Sequence, residues 1–167
     1  RPVVVVDIID ANDLERHLYL SVQIMEMGLP LVLALNMMDE VNKKGIKINV
    51  DKLAQLLGVP VVKTIARTGG GLDQLLAAAV EKAEARSGCP WRPLLISYGP
   101  DLDVVLKDMT AKIEEAGFLT ERYPARWVAL KYLESDEEIH KLGLAANPKL
   151  HALLQDMTSE ASAHLDA

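Results

Sequence analysis

The sequence predicts an α/β fold, a parallel sheet of three strands with flanking helices, followed by a small all-α helical domain. Three observations predict it. Continuous aliphatic runs, not alternating ones, recur near residues 3–8, 30–35 and 60–63, and such runs suit parallel strands covered on both faces. Segments with apolar residues at helical spacing separate the runs, and that alternation argues for a parallel sheet with right-handed crossovers. Composition then shifts at Ser87-Gly88-Cys89-Pro90-Trp91-Arg92-Pro93, after which no convincing series of strands follows.

Taken in order, Val3-Val4-Val5-Val6-Asp7-Ile8 is a β-branched strand. Asp10-Ala11-Asn12-Asp13 is rich in capping residues, with Asp10 and Asp13 expected as an N-cap and a first-turn charge. Leu14, Leu18, Val22 and Met25 mark a helix that Gly28 stops. The second strand, 30–35, delivers Asn36-Met37-Met38-Asp39 at its carboxyl end. Lys43-Lys44-Gly45 reads as a solvated loop. Residues 50–57 form a short helix capped by Asn49 or Asp51 and ended by Gly58. The third strand, 60–63, leads into a glycine-rich loop at 64–71 and a helix at 72–85.

In the second part, Leu102, Val105, Leu106, Met109 and Ile113 mark an amphipathic helix that Gly117 ends. Pro124 suits a first-turn position of the next. Ser135-Asp136-Glu137-Glu138 has the capping-box pattern and opens a third. Pro148 suits the first turn of a fourth, which carries Leu150, Leu153, Leu154 and Met157.

Composition excludes several classes. A net charge of −6 is opposite to a nucleic-acid footprint. A single cysteine, Cys89, excludes a disulfide framework and a multi-cysteine metal site. No apolar run reaches the roughly 18 residues that span a bilayer. His17, His140, His151 and His164 show no ligand spacing, and Met25, Met27, Met109 and Met157 read as core filler. No metal ligand and no catalytic residue is assigned. The chain starts at Arg1, already inside a strand, and reads as a piece of something longer.

The loops after the second and third strands lie on the edge where open α/β sheets bind ligands. Guanine presents two adjacent donors, N1–H and the exocyclic amine. One carboxylate can accept both, whereas adenine would leave it desolvated and unpaired. Asp39 suits that role. Asn36 would bind the base edge and brace the neighbouring loop, and Met37 would stack its flexible thioether on the base plane. Asn-x-x-Asp alone is a weak motif. The following loop, Thr64-Ile65-Ala66-Arg67, strengthens it, because in GTPases this loop offers an Ala backbone N–H to guanine O6 and Ala66 stands there. The sheet is thus read as a partial P-loop-NTPase-like one.

The segment 10–20 (Asp10-Ala11-Asn12-Asp13-Leu14-Glu15-Arg16-His17-Leu18-Tyr19-Leu20) resembles the cytosolic GTPase domain of FeoB-type ferrous iron transporters. So do Glu26-Met27-Gly28-Leu29-Pro30 and the run into Asn36-Met37-Met38-Asp39, where that family carries Met at the position of Met37. Arg126-Trp127-Val128-Ala129-Leu130-Lys131 is similar to the helical domain that follows. The resemblance implies 1–87 as the second half of a GTPase domain, 88–97 as a linker and 98–167 as the helical domain. It implies GTP/GDP as ligand, with Mg²⁺ only in the full domain, held at Asn36, Met37, Asp39, Ala66 and Arg67, the last covering the base edge. It also implies a membrane permease domain as partner and a cytoplasmic membrane face as location. Two departures stand against the family pattern. Ile65 replaces the usual Ser, and no G-x-x-x-x-G-K-[ST] phosphate loop occurs; without it and the switch segments this stretch is not expected to hydrolyse GTP. Two other readings are a non-catalytic interaction module with vestigial loops and a different G protein with a helical appendage. Finally, the strand 3–8 is expected to lack a neighbour, leaving an apolar edge open to self-association.

Overall fold

The computed structural model describes residues 2–85 and 95–165, with side chains to residue 163. The chain divides into two compact units, Arg1–Leu94 and Leu95–Ala167. Cys89 and most of the expected linker lie outside the described residues.

The first unit runs β1 (Val5–Asp10), α1 (Leu14–Glu26), β2 (Leu31–Asn36), α2 (Met38–Lys43), α3 (Val50–Leu57), β3 (Val61–Lys63), a 3₁₀ turn at Ala66–Thr68, and α4 (Leu72–Glu84). The three strands are parallel in the order β1-β2-β3. The central strand is the driest: Leu31, Val32, Leu33, Ala34 and Leu35 are all 1% exposed or less. One face of the sheet, built on Ile9, Leu31, Leu33 and Leu35, packs with Met25 of α1 and Met38 and Val41 of α2. Ser21 of α1, fully buried, donates to Asp7 Oδ2 at 2.6 Å and ties that helix to β1.

β1 begins and ends two residues later than the apolar run suggests. Its register, Val5 opposite Leu31 through Asp10 opposite Asn36, is set by the partner strand and not by local hydrophobicity. Asp10 therefore closes a strand. Its Oδ1 accepts the backbone N–H of Asn12 at 2.8 Å and the Asn12 amide at 2.9 Å, an Asx-turn. Asp13 occupies the N-cap position of α1 but makes no side-chain capping bond. α2 is a helix where a turn running into a solvated loop is expected; Lys43 is its last residue and Gly45 follows at φ +71°. α3 has the expected bounds, with Asn49 accepting from Lys52 N–H at 3.0 Å and Gly58 at φ +66°.

The side of β1 away from β2 has no strand beside it among the described residues. Ile8 is 63% exposed, and Val6 on the same face is also exposed. On α4, Leu72, Leu76 and Val80, spaced four apart, are likewise exposed. No helix among the described residues is long and apolar enough to cross a membrane.

The second unit is all helical: α5 (Pro100–Glu115), α6 (Ala125–Leu133), α7 (Glu137–Ala146) and α8 (Pro148–Leu165). Leu106, Met109, Ile113, Phe118, Val128, Tyr132, Ile139 and Leu154 form its core. Pro124 sits one residue before α6, not in its first turn. The cap of α7 is Asp136, which accepts from Glu138 and Ile139 N–H at 3.1 and 3.0 Å. Ser135 cannot fill that role because it lies at φ +55°, outside the extended conformation an N-cap adopts. The entry segment is anchored: Arg126 donates to the Ile96 carbonyl, while Asp103 accepts from Ser97 Oγ at 2.5 Å and Tyr98 N–H at 3.1 Å.

The two histidines with no sequence relationship meet in this core. Tyr132 Oη and His151 Nδ1 are 2.8 Å apart, and the His140 ring lies 4.6 Å from Tyr132 and 5.6 Å from His151. Burial pushes the Tyr132 phenol up to about 12, so it keeps its proton and can donate to a neutral His151. Burial first, and then the neighbouring His140, lowers the His151 pKa below its ordinary 6.5. The unfolded chain therefore binds more protons than the folded one as pH falls through about 6.5, and stability must fall with it. The carboxyls held below their ordinary range, Asp10, Asp39 and Asp103, act only near pH 4 and below, so the windows separate. Urea unfolding at pH 7.5 and 5.5 should give a lower midpoint at pH 5.5, and His151→Gln should flatten that difference.

Candidate functional site at the carboxyl edge of the sheet

Asn36 ends β2, and its position is inherited from the buried strand behind it. Its carbonyl accepts the N–H of Ala11, the first residue beyond β1, at 3.0 Å. Its side-chain Oδ1 accepts the N–H of Ala66, in the loop beyond β3, at 2.9 Å, with Thr64 Oγ1 at 3.4 Å. Thr64 is 7% exposed, and its own N–H donates to the Leu35 carbonyl at 2.8 Å. One side chain thus joins the two loops that the sequence singles out, with the exit of β1 held to the same residue.

Met37 follows in the left-handed region, at φ +63° and ψ +30°. An L-residue there costs about 1–2 kcal/mol, though an unbranched side chain suffers least. The reversal turns the chain from β2 into α2 within one residue and leaves the Met37 side chain exposed. It also brings Asp39 into the first turn of α2. Asp39 is partly exposed at 21%, and Arg67 Nη2 donates to its Oδ2 at 3.1 Å. The hydrogen bond from Arg67 is the main reason its carboxyl lies below the usual carboxylate range. Asn36, Met37, Asp39, Ala66 and Arg67 therefore lie together at the carboxyl edge of the sheet, joined by the Ala66–Asn36 and Arg67–Asp39 bonds. The Ala66 N–H is not turned to open space but is bonded to Asn36.

The glycine tract has a structural reason. Ile65 N–H donates to the Gly70 carbonyl at 2.8 Å, closing the loop on itself around the 3₁₀ turn. Gly71, at φ +84°, approaches the Lys63 carbonyl so closely that a Cβ would stand 2.1 Å from that oxygen. Only glycine fits. The tract is a tight turn between β3 and α4.

A neighbouring chain of contacts escapes sequence reasoning. Asp10 accepts from Asn12, and Asn12 Oδ1 accepts from Lys44 Nζ at 2.8 Å, linking the β1 exit to the end of α2. The Asp-x-Asn spacing of an Asx-turn is the signal for its first half. Nothing in the sequence points to Lys44. Among the described residues, no group of three or more His, Cys, Asp or Glu could hold a metal ion.

The comparisons with known proteins agree across both units. A family model described as ferrous iron transport protein B matches residues 1–79, and one described as the FeoB cytosolic helical domain matches 98–167. The Fe(2+) transport protein A/Fe(2+) transporter FeoB fusion protein of Porphyromonas gingivalis is 41% identical over 141 residues, covering 84% of this chain and 17% of that protein. The Fe(2+) transporter FeoB of Salmonella typhi is 33% identical over 138 residues, covering 78% and 16%. Among solved structures, mGMPPNP-bound NFeoB from S. thermophilus matches with a TM-score of 0.80 at 30% identity, covering 99% of this chain and 60% of that one. The cytosolic domain of the T. maritima FeoB iron transporter in its GMPPNP form matches at 0.75 and 26% identity, covering 98% and 68%. The chain thus spans under a fifth of those two curated relatives.

The backbone at Met37 is directly testable. Met37→Ile, β-branched at positive φ, should lower the unfolding free energy by about 1–2 kcal/mol, whereas Met37→Gly should hold or raise it by up to about 1 kcal/mol. Urea melts of the two variants check the difference. Equal effects would mean that the left-handed turn does not govern this position.

Proposed function

The chain belongs to the ferrous iron transport protein B family, and from that premise we propose that it is the base-reading half of a guanine-nucleotide domain joined to its helical domain. The observation that carries this reading is the bond from the Ala66 N–H to Asn36 Oδ1, which makes one site of two loops 28 and more residues apart.

In this reading Asp39 accepts guanine N1–H and the exocyclic amine on its carboxylate. Like any ordinary aspartate it is ionised at neutral pH, as an acceptor of two N–H donors must be. Asn36 has its Oδ1 engaged by the Ala66 loop, so its side-chain amide is the group that donates to a base acceptor. Met37, exposed on its left-handed turn, lays its thioether along the base plane. The Ala66 N–H shares itself between Asn36 and guanine O6. Adenine would bring an acceptor and a C–H to the carboxylate and leave it unpaired, the basis of discrimination. Ile65 supplies no hydroxyl to brace the loop, but Thr64 Oγ1 reaches the same Asn36 oxygen.

The nucleotide itself is supported by relatives, whose solved structures are described as bound to mGMPPNP, to GDP, and to GDP.AlF4⁻ with K⁺. Magnesium enters this reading only in the full GTPase domain, where the nucleotide phosphates would share in holding it. Its ligands, the phosphate loop and the groups for GTP hydrolysis belong, on this proposal, to a longer protein. There the hydrolysis supports ferrous iron uptake, with the helical domain leading to a membrane permease at the cytoplasmic face.

The bare side of β1 fits the same reading. Val6, Ile8 and the α4 residues Leu72, Leu76 and Val80 form apolar surface that further elements of such a domain would cover. Expressed alone, the chain is expected to self-associate through it. Ile8→Lys should then shift sedimentation toward monomer without lowering the melting temperature, and a wild-type chain monomeric at high concentration would count against it.

The base assignment is tested in a protein that also carries the phosphate loop. Asp39→Asn should cut GTP affinity by at least tenfold, or about 1.4 kcal/mol, and erode preference over ATP. Isothermal titration with both nucleotides measures this, and an unchanged GTP-to-ATP ratio would sink the assignment.

A further inference from the structure

Two of the groups assigned to reading the base, the Ala66 N–H and the Asp39 carboxylate, are already paired within the protein. The Ala66 N–H is bonded to Asn36 Oδ1 at 2.9 Å, and Arg67 Nη2 to Asp39 Oδ2 at 3.1 Å. The two pairings differ in kind. The first is short-range, rests on a residue held by the sheet, and costs nothing to keep if the N–H is shared. The second is an ion pair whose arginine is 76% exposed and whose carboxylate is 21% exposed. It is made by a long side chain reaching from the loop after β3 to the first turn of α2.

We infer that Arg67 is an internal competitor for the base-reading carboxylate, so that guanine binds by displacing its guanidinium from Asp39. The inference rests on the base reading above and adds a determinant of affinity to it. A purine edge with two adjacent donors needs both carboxylate oxygens in the plane of the carboxyl group. Arg67 holds one of them. A guanidinium presents several N–H groups in a rigid fork and competes for the same in-plane lone pairs that the base requires. Guanine therefore exchanges one set of hydrogen bonds for another instead of filling a waiting acceptor. A base with a single donor on that edge does not need the oxygen that Arg67 holds, so the competition falls on guanine and spares hypoxanthine.

Magnitude follows from exposure. An ion pair this open to water contributes little, so its removal should tighten guanine binding by about two- to fivefold and not by orders of magnitude. It should also be salt-sensitive, because at 1 M ionic strength the Debye length is only about 3 Å. Neutral nucleosides carry no phosphate charge and isolate this effect from electrostatic steering.

The test titrates guanosine, inosine and adenosine into the 167-residue chain, wild type, Arg67→Ala, Arg67→Lys and Asp39→Asn, with amide shifts followed by NMR. Arg67→Ala should raise guanosine affinity two- to fivefold at low salt, leave inosine unchanged, and lose its advantage in 1 M NaCl. Arg67→Lys, a point charge without the fork, should fall between wild type and Arg67→Ala. Guanosine affinity that is unchanged or lower in Arg67→Ala overturns the competitor role; a lower value would mean that Arg67 clamps the base instead. Guanosine and inosine rising together would also overturn it, since a loosened loop would favour both. No guanosine-induced shift in Arg67→Ala has the same consequence. Asp39→Asn separates the two levels. If it abolishes preference for guanosine over adenosine while Arg67→Ala has no effect, the base reading stands and only the role of Arg67 falls. If it leaves the preference intact, the base reading falls and this inference with it.

Discussion

The bonds converging on Asn36 are the constraint on which the first unit depends. Its carbonyl holds the exit of β1 and its side chain holds the loop after β3, so three strand ends meet at one residue. The position is reliable because β2 is buried on both faces and paired on both sides. A loop tied to such a strand inherits its rigidity. The left-handed Met37, the first turn of α2 and the carboxylate of Asp39 follow from that fixed starting point. Loss of the Asn36 side chain would leave the Ala66 N–H and the Thr64 hydroxyl without their acceptor.

Much of this is legible in the sequence because it is written in patterns with a physical period. Aliphatic runs located three parallel strands, helical spacing located α1, α5 and α8, a proline and a capping box pointed to α6 and α7, and Asn49 and Gly58 bounded α3 to the residue. The departures share a cause. The start of β1 is set by its ladder with β2, a non-local fact that a run of valines cannot report. The 6-residue helix α2 is too short for periodicity to reveal. The cap of α7 moved from Ser135 to Asp136 because the backbone at Ser135 is left-handed, which composition does not show. The site was legible as a list of residue types, and the distances within it were not. That Asp39 and Ala66 are already paired is a property of three-dimensional packing alone.

The histidines illustrate the same limit from the other side. Spaced without any ligand pattern along the chain, His140 and His151 converge on Tyr132 because α7 and α8 both pack on α6. Gly143 permits that approach, since a Cβ there would stand 2.1 Å from the Tyr132 hydroxyl oxygen. The glycine tract after β3 likewise makes sense only once Gly71 is seen against the Lys63 carbonyl. In both places a small residue records the close passage of another group, a relation between distant positions and not a local preference.

The anchoring of residues 96–98 gives the second unit a mechanical character. Ile96 is gripped by Arg126 at the start of α6, and Ser97 and Tyr98 by Asp103 in the first turn of α5. A pull arriving along the chain at residue 95 therefore does not peel α5 open from its first residue. It is shared between the amino-terminal ends of two helices and falls on several hydrogen bonds at once.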